Sequence, residues 1–154
     1  MKKLFWISMI AVAMIGVADY SECEKNEAQA ATPEEDVIKL KVTVEGQAEL
    51  TATLIGNATA RDFVSRLPLT LPMTDLYSRE MCYHFPDALF ADNVQTIGYE
   101  VGEIIYWPPR HSLVIMYAQN GERFEMQKIG HIDSGVEIFK QTGDVSVTFQ
   151  LPNE

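Results

Sequence analysis

Two segments far apart in the chain alternate between apolar and polar side chains. Ile38, Leu40, Val42 and Val44 interleave with Lys39, Lys41 and Thr43, and Val145, Val147, Phe149 and Leu151 form a second alternating set near the C-terminus. A period of two places one set on each side of a pleated strand, so each segment calls for a core on one face and water on the other. A chain bounded by such segments folds by gathering short strands. Glu45-Gly46-Gln47 reads as the turn of a hairpin after the first of them, and Leu50 to Ile55 reads as its return arm, with threonines that suit a pleated surface.

The one strong helical pattern follows. Ala60, Phe63, Val64 and Leu67 recur at i, i+3, i+4 and i+7, so a single stripe packs on the sheet. Asn57 or Thr59 supplies the N-cap, Thr59 with Asp62 approximates a capping box, and Pro68 ends the helix after about Leu67. Leu69 to Asp75 is extended again, with Pro72 implying an edge or a bulge. Residues 78–103 carry Pro86, Asp87, Asp92, Asn93, Gly98 and Gly102 among scattered apolar residues, the pattern of short strands with tight connections. Ile104 to Trp107 and Leu113 to Tyr117 flank a stiff reversal, Pro108-Pro109-Arg110-His111-Ser112. Asn120-Gly121 reads as a hairpin turn, because both residues tolerate positive φ. Ser134 to Lys140 fits a short helix or helical turn. The total is about seven or eight strands and one or two short helices. Strands this closely spaced predict a mainly β domain over residues 37–152, a small barrel closed so that no edges stay open.

The first thirty residues belong to a different kind of segment. Lys2 and Lys3 precede an uncharged apolar run from Leu4 to Ala18, and a polar stretch follows, which is the layout of a secretory signal peptide. A helix of that length spans about 22 Å, short of a bilayer core of about 30 Å, so cleavage is expected in place of a stable membrane span. Small residues stand at −3 and −1 of two sites, after Ala18 and after Ala30; the second is the better match and leaves residues 31–36 as a flexible tether. The expected destination is periplasmic or extracellular. Lipidation at Cys23, as in a lipoprotein, is disfavoured by Tyr20-Ser21-Glu22, which puts a carboxylate beside the cut. Cleavage after Ala30 leaves Cys82 as the only cysteine, whereas cleavage after Ala18 leaves a Cys23–Cys82 bond open. The whole chain of 154 residues has a formal charge of −10, and loss of residues 1–30 leaves 18 acidic against nine basic side chains. Such a length fits one domain, and such a charge, with no Lys/Arg cluster, excludes unassisted nucleic-acid binding.

Four stretches carry a family likeness: Ala60-Arg61-Asp62-Phe63; Leu69-Thr70-Leu71-Pro72-Met73-Thr74-Asp75; Gly102-Glu103-Ile104-Ile105-Tyr106-Trp107-Pro108-Pro109; and Gly130-His131-Ile132-Asp133-Ser134-Gly135. With their flanking strands they cover about Ile38 to Leu151, and the chain resembles the bacterial cyclophilin-like domain family. The resemblance implies a closed barrel whose first and last strands are neighbours. It implies little about activity. In true cyclophilins an arginine donates to the prolyl nitrogen beside an apolar pocket, within a Phe-His-Arg segment followed by Phe-Met-x-Gln. Neither motif is present here. Arg79 and Arg110 lie in loops where a guanidinium could face a groove, which leaves peptidyl-prolyl isomerase activity as the runner-up reading.

Other chemistries find no support. There is no Gly-x-Ser-x-Gly elbow, His-Glu-x-x-His, Cys-x-x-Cys or phosphate-cradling glycine loop. His131, Asp133 and Ser134 are too close in sequence to converge as a triad, and read better as a turn whose polar side chains bond local amides and cap the next helix. His84, His111 and His131 lack ligand spacing, so no metal or cofactor is expected. A binding role is left, for a peptide or small ligand not identified by the residues. Met73, Tyr83, Tyr106, Trp107, Met116 and Tyr117 are the inventory for an apolar groove, with Arg110 and His111 at its rim. Trp107 is the leading candidate, because two following prolines stiffen its loop. The sequence therefore reads as an exported, non-catalytic binder, with isomerase second and a structural envelope role third.

Overall fold

The alternating segments become strands that close on themselves. The computed structural model describes residues 36–153. The expected signal peptide, nearly all of the tether, and Cys23 lie outside the described residues. Nine strands are present among them: β1 (Val37–Val44), β2 (Ala48–Ile55), β3 (Leu69–Leu76), β4 (Glu80–His84), β5 (Gln95–Ile97), β6 (Glu103–Trp107), β7 (Ser112–Met116), β8 (Phe124–Ile132) and β9 (Val145–Gln150). The antiparallel order β2-β1-β9-β3-β4-β7-β6-β8 is closed by a β2–β8 pairing into an eight-stranded barrel, and β5 is added to the start of β8. The mainly β, closed-barrel expectation holds, and β1 and β9 are paired neighbours.

Register follows from side-chain period. The β1–β2 hairpin pairs Val44 with Ala48 across Glu45-Gly46-Gln47, so Leu40, Val42, Val44, Ala52 and Leu54 all point into the barrel. Pro72 sits in β3 opposite Ser146 of β9, while β3 pairs with β4 only from Thr74 onward. The proline therefore interrupts no second ladder, which is why a strand inside a closed barrel tolerates it.

Helix α1 (Ala58–Ser65) begins at Asn57, whose side-chain oxygen accepts the Ala60 amide at 2.8 Å. Thr59 is instead fully buried, and its hydroxyl has no partner. The helix is shorter than the apolar stripe suggests: Arg66 and Leu67 donate to Phe63 and Val64 in a tightened last turn, since a residue before proline is pushed out of helical space. Phe63 enters the core and meets Phe149 edge-on, with ring centroids 5.4 Å apart. A 3-10 helix over Val136–Gln141 occupies the place of the second expected helical turn.

Asn120-Gly121 makes no hairpin. β7 and β8 are not partners, so the segment is a loop that crosses from β7, past β6, to β8. Gly121 does take positive φ, and Asn120 accepts from Tyr99 Oη and the Glu122 amide. Those are turn properties, and turn chemistry alone does not say which strands it joins.

Candidate functional site

The same period that fills the barrel also builds a second surface outside it. In β4, Met81 and Tyr83 belong to the main core, whereas Glu80, Cys82 and His84 face outward. In β6, Ile104 and Tyr106 point in, and Ile105 and Trp107 point out; in β7, Leu113 and Ile115 oppose Val114 and Met116. The outward apolar residues are partly covered. Tyr99 and Met126 pack on Cys82, Ile105, Val114 and Met116 as a smaller cluster on the outer face.

Beside that cluster opens a cavity of about 280 Å³, floored by Leu76, Cys82, Val114 and Phe124. It runs along β4. At the start of the strand stand Tyr77, Arg79, Glu80 and Glu122; toward its end stand His84, Trp107 and Arg110. Five strand residues at about 3.3 Å each separate the two ends by roughly 13 Å.

The first end is electrostatically closed. Arg79 donates from Nε and Nη2 to Glu80 at 3.2 and 3.0 Å, and from Nη1 to Glu122 at 2.6 Å. Burial works against the guanidinium, yet the Glu122 and Glu80 carboxylates outweigh it and hold its pKa above the ordinary value. For Glu80 burial wins over Arg79, and its carboxyl pKa is raised. The Tyr77 ring is 80% exposed, and the Arg79 guanidinium lies over it at 5.4 Å. Tyr77 and Ser78 both adopt positive φ in the turn that presents this ring.

The second end is held by backbone geometry. Pro108–Arg110 form a 3-10 turn, and His111 stops it in the left-handed region at φ 50°. His84 Nδ1 lies 2.7 Å from Ser112 Oγ and 4.0 Å from Cys82 Sγ. Both neighbours use the same ring nitrogen, and Ser112 is completely buried, so the trio has neither the relay nor the access of a nucleophilic site. Burial pushes the Cys82 thiol up, against the Ser112 hydrogen bond that favours the thiolate, and a protonated thiol is a weak nucleophile.

The residues singled out from sequence separate between the two faces. Trp107 and Arg110 line the outer groove. Met73, Tyr106 and Tyr117 lie in the barrel core, where Tyr106 Oη accepts the Leu89 amide at 3.0 Å and Tyr117 Oη donates to Asp75 at 2.5 Å. Tyr83 packs at the margin of that core against Phe85, Met116 lies in the outer cluster, and His111 occupies the turn next to Arg110 without lining the groove. Sequence reasoning missed Leu76, Tyr77, Glu80, Cys82, Val114, Glu122 and Phe124 as groove residues. The alternation of Glu80, Cys82 and His84 was the available signal, since a one-residue offset assigns Tyr83 to the opposite face.

The Asp133 carboxylate bonds across strands in place of local amides: it accepts from Thr53 at 2.6 Å and Lys39 at 3.1 Å, and the nearby His131 Nε2 lies 3.3 Å away. No side chain caps the following 3-10 turn. Among the described residues no three metal-ligating side chains cluster, and no helix is long and apolar enough to cross a membrane.

Residues 42–150 match the cyclophilin-like family. The fold is similar to the solution structure of a hypothetical protein from Archaeoglobus fulgidus, with a TM-score of 0.62 and 17% identity over 79% of this chain and 99% of that one. No protein of curated function matches the chain.

Proposed function

The chain belongs to the cyclophilin-like family, and we propose that it is an exported binding domain that takes a peptide or small ligand in the outer groove without chemically changing it. The observation that carries this reading is the groove itself, an apolar floor of Leu76, Cys82, Val114 and Phe124 with polar groups confined to its two ends. That is the composition of a ligand site: apolar surface supplies affinity and a few placed polar groups supply orientation. Most of the lining sits on strands or in a proline-stiffened turn, which limits the ordering that opposes binding. Export is supported by Lys2, Lys3 and the apolar run from Leu4 to Ala18.

Titration of the full-length protein with peptide and metabolite pools, followed by the indole N–H resonance of Trp107, tests the reading. A saturable shift that Trp107→Ala weakens is expected, and silence toward every pool refutes it. Sequencing the N-terminus of protein recovered outside the cytoplasm tests export; a chain still starting at Met1 and retained inside refutes it.

Isomerase activity is the second reading, favoured by one feature. Arg79 borders the apolar groove, and three of its five N–H groups serve Glu80 and Glu122, leaving two for a substrate. NMR exchange on proline peptides decides between the two. Acceleration that Arg79→Ala or Arg110→Ala abolishes establishes catalysis, and binding without acceleration establishes the first reading.

A further inference from the structure

Resting on the groove reading above, we propose that the ligand is a small amphiphilic carboxylate, its apolar body on the floor formed by Leu76, Val114 and Phe124 and its anionic head at Arg110. Charge asymmetry between the two ends of the groove carries the inference. At the Tyr77 end, one guanidinium meets two carboxylates, 3.0 Å and 2.6 Å away, so that end offers no uncompensated cation. At the Trp107 end, Arg110 lines the cavity, and among the described residues no carboxylate lies within 4.0 Å of it. Its residue is exposed, and it shares the cavity lining with Cys82 and Val114 of the floor.

An unpaired guanidinium beside a desolvated apolar wall is a place where a carboxylate forms charge-assisted, two-pronged hydrogen bonds. Without residues 1–30 the chain carries 18 acidic against nine basic side chains, so anions meet a repulsive net field, and Arg110 is the cation in the groove lining that no carboxylate offsets among the described residues. The anionic head is therefore directed to one end of the groove. The cavity volume of about 280 Å³ lies at the lower limit of ligand pockets, which selects a small molecule over an extended peptide.

Isothermal titration of the full-length protein with 3-phenylpropionate and with 3-phenylpropan-1-ol, which share a body and differ in the head group, tests the proposal. The acid is expected to bind about tenfold tighter, the ratio that one charge-assisted contact gives. Arg110→Gln should erase the gap and leave the alcohol unchanged, whereas Arg61→Gln, on the far helix, should not. Equal binding of acid and alcohol overturns the proposal and leaves the groove reading standing, as does a gap that survives in Arg110→Gln. Binding of an apolar tetrapeptide with an amidated C-terminus, without binding of either small probe, overturns it in favour of a peptide. Silence toward all three probes overturns the proposal and counts equally against the groove.

Discussion

Arg79 Nη1 donates to Glu122 at 2.6 Å, joining residues 43 positions apart and tying the turn between β3 and β4 to the loop that leads into β8. The turn is also anchored through its backbone, since the Arg79 carbonyl accepts the Tyr117 and Ala118 amides at 2.9 and 3.1 Å. The ion pair adds a side-chain tie between the two loops at this end of the groove, with Glu80 as the second carboxylate on the same guanidinium. The side chains of Arg79 and Glu80 are 13% and 12% exposed, so this cluster is largely shielded from solvent.

Removing the guanidinium should be worse than removing one of its partners. Arg79→Ala leaves Glu80 half-desolvated without a cation and is expected to destabilise the fold by about 2–3 kcal/mol. Adding Glu80→Gln to that variant should recover part of the loss, because the residual penalty is the orphaned charge. Urea melts of the two single variants and the double variant measure it; strict additivity would show that the residues act independently.

Neighbours Tyr106 and Trp107 should separate stability from binding. Tyr106 is 1% exposed, and its hydroxyl is the acceptor for the Leu89 amide, so Tyr106→Phe should cost about 1–2 kcal/mol by leaving that amide unpaired. Ligand affinity should be unchanged. Trp107→Ala should do the reverse, with a small shift in the urea midpoint and a loss of groove binding. Parallel melts and titrations check both halves, and a variant that changes both properties equally contradicts the two-face division.

Acid should loosen the contact between α1 and the segment that follows β4. Asp62 accepts the Phe90 amide at 2.7 Å and pairs with Arg66 at 3.2 Å. Burial raises its pKa, but the Phe90 amide and Arg66 together outweigh this and leave the carboxyl below its ordinary 3.8. A depressed carboxylate stabilises the fold fully above its unfolded-state value, and that contribution disappears as pH falls through the lower folded value. Asp133, held down against its own burial by Thr53 and Lys39, works in the same direction. Glu80, raised by burial, works in the opposite sense: its contribution improves as pH falls through the raised value. Asp62→Asn should therefore lower stability at neutral pH and flatten the acid limb of the melt below about pH 4. An unaltered acid limb would count against this assignment.

How far these features were legible in the sequence depends on whether they are local. Ile38 to Val44 and Val145 to Leu151 reveal their strands because side-chain period is a property of each segment alone. Closure through β2 and β8 joins Ala52 to Ile132, and no local pattern encodes a partner 80 positions away. Asn120-Gly121 illustrates the same limit, since its turn chemistry is real but its neighbouring strands pair elsewhere. The aromatic inventory failed to mark the groove for a related reason. Tyr106 and Trp107 are adjacent and chemically alike, and only the phase of the pleat sends one inward and the other to the ligand face. Cys82 and Glu80 carried no motif, and become informative only once β4 is paired with β7.

The turn at Tyr77-Ser78 should show a trade between stability and binding. Both residues hold positive φ, 58° and 49°, and the Arg79 amide closes the turn onto the Leu76 carbonyl at 3.1 Å. Side chains with a Cβ are disfavoured there, whereas Asn-Gly adopts this conformation readily. The double substitution Tyr77→Asn, Ser78→Gly is thus expected to raise stability by about 1–2 kcal/mol, read as a higher urea midpoint with an unchanged slope. The same change removes an 80% exposed ring from the mouth of the groove and the face on which Arg79 rests. Affinity for a groove ligand should fall while the fold strengthens, a pairing that marks conformational strain retained for contact with a ligand. If affinity is unchanged, Tyr77 is not part of the site; if stability falls, the ring's contact with Arg79 outweighs the relief of backbone strain.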